Sequence, residues 1–225
     1  IDSELAGVQA AQAGTVLTVS DAGGAVRFNA HNAGGAGVGG IAGGAADALL
    51  RVAADRVSVQ SASGDAGLDL LNSRVTLDTS ALAGGRLVAH AAGDLVLATL
   101  AARDGMDLTA VGALGAQAAA DTLQSSGAAA LIDLNAGTGI GSAAVPLRVT
   151  SDRVSAKTTT GGVYLSLEDA LPKTQTTLLT AQSGQGDVVL HASAGLDITG
   201  PVRTVGHVDI TAAGALTAAD VIEAL

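Results

Sequence analysis

Five aspartates stand singly between apolar neighbours: Asp69 between Leu68 and Leu70, Asp107 between Met106 and Leu108, Asp133 between Ile132 and Leu134, Asp197 between Leu196 and Ile198, and Asp209 between Val208 and Ile210. Carboxylates can hold a cation or move a proton, which makes these residues the first candidates for chemistry. Their spacing points elsewhere. Calcium needs a dense set of oxygens, and glycoside hydrolysis needs two carboxyls facing one another at a groove, whereas these acids recur one at a time. They read as outward charges that keep the chain soluble and its flanks from pairing, with a cation-binding stripe as the alternative.

The four histidines, His31, His90, His191 and His207, have no partner at i+4 and no carboxylate or thiolate at metal-ligand spacing. They read as solvated or strand-edge side chains. No Gly-x-Ser-x-Gly elbow occurs, so a Ser-His-Asp triad would have to assemble from residues far apart in sequence. Gly35, Gly37 and Gly40 have the spacing of a dinucleotide fingerprint, but more Gly and Ala follow where a βαβ unit should continue. The same run opens like a calcium-binding nonapeptide, Gly34-Gly35-Ala36-Gly37-Val38, then places Gly39 where the ligand Asp is required. The expectation is a chain that is not an enzyme, with no catalytic residue, no metal ligand set and no cofactor.

The elements that carry these residues follow one phrase. It is clearest in Gly186-Asp187-Val188-Val189-Leu190-His191, Gly195-Leu196-Asp197-Ile198-Thr199 and Gly206-His207-Val208-Asp209-Ile210-Thr211. A glycine opens each copy and apolar residues then alternate, the period of a strand with one buried face. The first apolar positions of alternate copies, Val57, Val75 and Leu95, then Leu68, Leu87 and Met106, advance by 18 and 20 and by 19 and 19 residues. Two interleaved series sharing one step imply a coil with a strand on each of two faces, and a third strand or bend to complete it. The fold class expected is all-β, a parallel β-helix solenoid with about 19–20 residues per coil. Between Gly112 and Ala130 the pattern blurs, helix being the rival reading of so much Ala; Thr122–Ser125 is the best strand there, and Leu131-Ile132-Asp133-Leu134 resumes the phrase.

Residues 137–167 carry a further signal: Gly139-Ile140-Gly141-Ser142, Pro146-Leu147-Arg148-Val149, Asp152-Arg153-Val154-Ser155-Ala156-Lys157-Thr158 and Gly161-Gly162-Val163-Tyr164-Leu165-Ser166. This order resembles the internal repeats of filamentous haemagglutinin-like exoproteins, the very long bacterial adhesins of two-partner secretion, and glycine phrases of the same style run from 14 to 217. The resemblance implies a right-handed parallel β-helix that holds bacteria to surfaces and to each other. The asparagine-proline signature of that family's secretion domain is absent, since the four Asn, at 29, 32, 72 and 135, never precede Pro. A shaft piece is implied rather than the export module. Implied partners are host or neighbouring-cell surface molecules, extracellular matrix and the remainder of the same chain, with an extracellular or cell-surface location. A β-helical polysaccharide lyase or hydrolase is the alternative, disfavoured by the scarcity of aromatic platforms for sugar.

Composition agrees with a thin aliphatic core. Of 225 residues 48% are apolar, with no Trp, one Tyr (Tyr164), one Phe (Phe28) and one Met (Met106), so Ala, Val, Leu and Ile must fill the interior. A net charge of −10 argues against nucleic acid, which needs a basic surface. The chain has no Cys, hence no disulfides, which fits an exported protein that stays unfolded until it leaves the cell. The longest uncharged stretch, 28–46, is too rich in Gly and Asn to span a bilayer, so no membrane insertion is expected. Ile1-Asp2-Ser3-Glu4 reads as the start of an excised fragment. Residues 1–225 are expected to form a single segment, with 168–175, which carries Pro172 and Lys173, as a protruding loop. The tail 216–225 would cap the coil end, as a last strand or as a short helix with Thr217 and Asp220 as a capping box.

Overall fold

Alternation of apolar and polar side chains becomes strand wherever it occurs, because a period of two lets one face be buried while the other stays hydrated. In the computed structural model the described residues form strands and turns without any helix, and every strand pairing is parallel. The structure describes residues 16–19, 24–30, 49–62, 64–78, 80–82, 85–168 and 175–225, together with the short strands Asp2–Ser3, Val8–Gln9 and Ile41–Ala42. The glycine-rich fingerprint at 34–40, His31 and residues 169–174 of the expected loop lie outside these.

The strands stack into a parallel β-solenoid of about eight turns with about 21 residues per turn. The register partners Ala66, Leu87, Met106, Ile132, Val154, Leu178, Ile198 and Ala218 follow one another up the rod, and the longest step, from Met106 to Ile132, spans the corner inserts at 117–121 and 126–130. Those inserts raise the mean step above that of the sequence phrases. Two registers read from phrase spacing need correction: Val57 stacks on Leu77 rather than Val75, and Leu68 on Ala89 rather than Leu87. Val75 with Leu95, and Leu87 with Met106, stack as expected.

Inward positions form unbroken columns. One runs Val75, Leu95, Leu114, Ile140, Val163, Val188 and Val208, and another Leu68, Ala89, Leu108, Leu134, Ala156, Ala181 and Val202. All but Val208 are fully buried, and Val208 and Ile210 pack against the core while partly exposed. Each buried Leu, Ile or Val contributes about 1.5–3 kcal/mol of hydrophobic stabilisation.

The third strand of the coil is real. Ser80–Leu82, Leu100–Ala102, Thr122–Ser125 and Leu147–Thr150 stack on one another as an arm of the first sheet. That sheet branches at Arg56–Ser61, whose first half pairs with Arg74–Leu77 and second half with Ser80–Leu82. The arms rejoin at Val163–Glu168, which pairs with Ile140 and with Leu147–Thr150. The tail is strand: Leu216–Ala218 pairs with Gly195–Ile198, and Ile222–Ala224 with Val202–Thr204. The helical alternative fails there because Leu216 and Ile222 continue the columns of Leu196 and Val202.

Corners are closed by hydroxyls at stacked positions. The Ser183 hydroxyl lies 2.7 Å from the Gly161 carbonyl and 2.8 Å from that of Gly186, Thr158 bonds to the Gly161 carbonyl, and Thr204 to that of Gly186. Among them they tie three consecutive coils together at one edge.

Candidate functional site

The second sheet, which includes Leu50–Ala53 and Ala66–Leu70, turns a column of nine polar residues outward: Arg51, Asp69, His90, Thr109, Asn135, Lys157, Gln182, Arg203 and Glu223 stand in register on successive strands. A neighbouring column holds Val88, Asp107, Asp133 and Ser155. Side chains one coil apart in a column lie ~4.8 Å apart at the backbone, close enough for ion pairs or for repulsion.

Bases meet several of the acids. Arg51 Nε lies 3.2 Å from Asp69 Oδ2, Arg86 Nη2 is 3.6 Å from Asp107 Oδ2, and Arg203 Nε is 3.3 Å from Glu223 Oε2. On the first sheet Arg56 donates to both oxygens of Asp78 at 3.0 and 2.7 Å, and Arg148 Nε to Glu168 Oε1 at 3.1 Å. All five bridges join one coil to the next. Being partly exposed, each is worth about 0.2–1 kcal/mol. Asp197 accepts the Thr217 hydroxyl at 2.6 Å, and Asp209 is exposed. The outward orientation expected for the five triplet aspartates holds.

A second set of aspartates does something sequence reasoning missed. Asp65, Asp94 and Asp187 accept the backbone N–H of Arg86, Ala113 and His207 in the next coil, at 2.7, 2.9 and 2.8 Å. Asp152 accepts that of Ala129, which sits at φ +61°, at 2.8 Å. The signal was present as Gly-Asp at the start of three strands, at 64–65, 93–94 and 186–187.

The His207 backbone N–H bond, then the His207 ring 3.3 Å from the same oxygen, hold the Asp187 carboxyl below its ordinary value of 3.8. A lowered native value means the folded state favours the ionised form. Its stabilising contribution is therefore complete above the unfolded value near 3.8 and is lost as pH falls through that value towards the lower native one. We expect carboxyl-carbon NMR to place the Asp187 midpoint below those of exposed aspartates, and Asp187→Asn to flatten stability over that acid limb. A midpoint at or above 3.8 would contradict the bond.

The other described histidines, His90 and His191, lie on different sheets. His191 Nδ1 lies 2.6 Å from Thr211 Oγ1, a hydroxyl–imidazole pair on the exposed first sheet, and His90 is exposed on the second. A nucleophile activated by a histidine also needs an orienting acid and oxyanion donors; the register neighbour of His191 on its other side is Ser166, whose hydroxyl donates to Glu168 at 2.9 Å. Among the described residues no three His, Asp or Glu side chains gather as a metal site. A shallow groove on the first sheet is floored by Thr76, Val96 and Gly115 and edged by Arg74, Asp94 and Gln117. Its one carboxylate, Asp94, is bonded to the Ala113 N–H. The in-register carboxylates Asp107 and Asp133 belong to the other sheet. Among the described residues the second sheet carries a ladder of charged and amide side chains along its length. No protein-family model, curated protein or solved structure matches the chain.

Proposed function

We propose that this chain is a structural and adhesive shaft segment of a large secreted or surface-displayed bacterial adhesin, holding binding parts away from the cell and offering its flat sides to host or neighbouring-cell surfaces. The observation that carries this reading is the register itself: the described coils are bonded each to the next through parallel strands, and several are also joined by Arg–carboxylate bridges and Asp–amide contacts. A rod of about eight turns at ~4.8 Å is on the order of 40 Å long, and its stiffness needs no cleft. The glycine phrases resembling filamentous haemagglutinin-like exoproteins support the same reading. Beads coated with the chain are expected to adhere to epithelial or bacterial cell layers above an albumin-coated control, and adhesion equal to the control would overturn the reading.

One observation favours an enzyme that acts on polysaccharide. Asp107 and Asp133 are register neighbours, ~4.8 Å apart at the backbone, and retaining glycosidases hold two carboxyls about 5–5.5 Å apart. Their strands lie on an open face with Arg86 drawn to Asp107, so the expected outcome of incubation with acidic polysaccharides is no release of reducing ends or unsaturated uronates. Product formation abolished by Asp133→Asn would establish the enzyme instead.

A further inference from the structure

We propose that two copies of this chain associate face to face through the second sheet about a two-fold axis, with Asp133 of each copy seated between Arg153 and Lys157 of the other. The charges of this face make the case. Among the described residues the strands of this face carry four basic side chains (Arg51, Arg153, Lys157, Arg203) and five acidic ones (Asp69, Asp107, Asp133, Asp197, Glu223), close to balance in a chain whose net charge is −10. It is a side on which two such acidic rods can approach with little net repulsion.

Six of those nine charges are engaged within the chain, Arg51 with Asp69, Arg203 with Glu223, Asp107 with the flanking Arg86, and Asp197 through Thr217. The other three, Asp133, Arg153 and Lys157, have no side-chain hydrogen bond or ion pair among the described residues. They lie on adjacent strands, Leu131–Ala136 and Arg153–Thr158, in the middle of the face. Asp133 is in register with Ser155, and Ser155 is short, 7% exposed and flanked at i−2 and i+2 by the two bases. A two-residue step along a strand is ~6.6 Å, so Ser155 is the floor of a notch with a cation on either side.

A two-fold axis parallel to the strands and midway between these two coils exchanges them. It lays Asp133 over Ser155 of the second copy, into the notch, and by the same operation places the second copy's acid in the first copy's notch. Asn135 then faces Lys157 of the other copy, and an amide oxygen can accept from an ammonium. The contact is small and polar, so it belongs to the weak class, with a dissociation constant on the order of 10–100 µM and marked sensitivity to salt. It does not rest on the adhesive reading, since a rod with no cell-surface role would pair in the same way.

Sedimentation equilibrium on the 225-residue chain tests the proposal. The chain is expected to dimerise at low salt and to weaken several-fold on raising salt from ~0.05 to ~0.5 M. Asp133→Arg alone, and Arg153→Glu with Lys157→Glu, should each weaken self-association by at least about tenfold, because like charges then meet in both notches. Mixed one to one, the two variants should associate at least as well as the parent chain, since both notches become complementary again. Recovery on mixing also shows that both variants are folded. A parent chain that stays monomeric to ~1 mM at low salt would overturn the proposal, as would variants that dimerise unchanged, or a mixture that fails to associate while the parent does.

Discussion

Replacing Ile198 with Asp is expected to unfold the coils around it while leaving the distant end of the rod intact. Ile198 is fully buried, stacked between Leu178 and Ala218 in the column that also contains Ile132 and Val154. A carboxylate there has no base and no water to answer it, so it either stays charged at a large desolvation cost or takes up a proton and leaves a polar group in an aliphatic core. The expected loss is about 3–5 kcal/mol. In a solenoid each coil touches only its neighbours, so stability is a sum of local and nearest-neighbour terms and damage need not travel. Hydrogen exchange should show protection lost over residues 186–211 and largely kept over 56–78. Ile198→Val, which removes one methylene, should cost only about 0.5–1.5 kcal/mol and leave the same coils protected. Uniform loss along the chain would mean one cooperative unit, contrary to nearest-neighbour stacking.

Such a localised effect depends on features that the sequence shows unevenly. Which side chains point inward was plain, because a period of two sorts the two faces of a strand whatever its partner is. Leu68, Leu70, Leu95, Leu108, Ile132, Leu165, Leu190 and Ile198 are all fully buried. Register was not plain, for the same reason: a slip of two residues keeps every face unchanged. Val57 could be matched to Val75 or Leu77, and only the lengths of the corners decide for Leu77. The third strand was hard to see because Ser80–Leu82 and Leu100–Ala102 are three residues long and built from Ser, Ala and Leu, too short for alternation to register.

Contacts between coils were the least visible. Asp187 with His207, and Arg51 with Asp69, are 20 and 18 residues apart. Those pairings have meaning only once the register is known. The outward aspartates could be placed on the surface from sequence, but not assigned their bases, nor could Asp133 be singled out as the one whose register neighbour stands between two cations. Chemistry on a rod comes from stacking, and a sequence shows one coil at a time.

The same dependence on stacking gives two glycines opposite expected responses to one added methyl group. A Cβ on Gly161 would lie 1.5 Å from the Thr138 carbonyl oxygen and 2.4 Å from its carbon, backbone atoms of the corner one coil below. That corner is held from above by the Thr160 N–H and hydroxyl, both 3.0 Å from the Gly137 carbonyl oxygen, so it cannot retreat without breaking these bonds. The Gly161 carbonyl also receives the Ser183 hydroxyl at 2.7 Å, which couples any shift to the coil above. Overpacking costs about 1–3 kcal/mol and each displaced hydrogen bond about 0.5–1.5 kcal/mol more. Gly161→Ala should therefore destabilise by about 3 kcal/mol, with protection lost first at 136–140 and 158–163. Gly115 stands in the strand Ala113–Ala116 at the floor of the groove, and a Cβ there meets nothing within 4 Å. Its φ is not in the left-handed range. Gly115→Ala therefore removes freedom from the unfolded chain without strain in the folded one, and should stabilise by about 0.4–1 kcal/mol. Urea unfolding of the two variants side by side reads both signs in one experiment. Equal midpoints would show that the corners of adjacent coils do not approach as closely as the stacking at Gly161 requires.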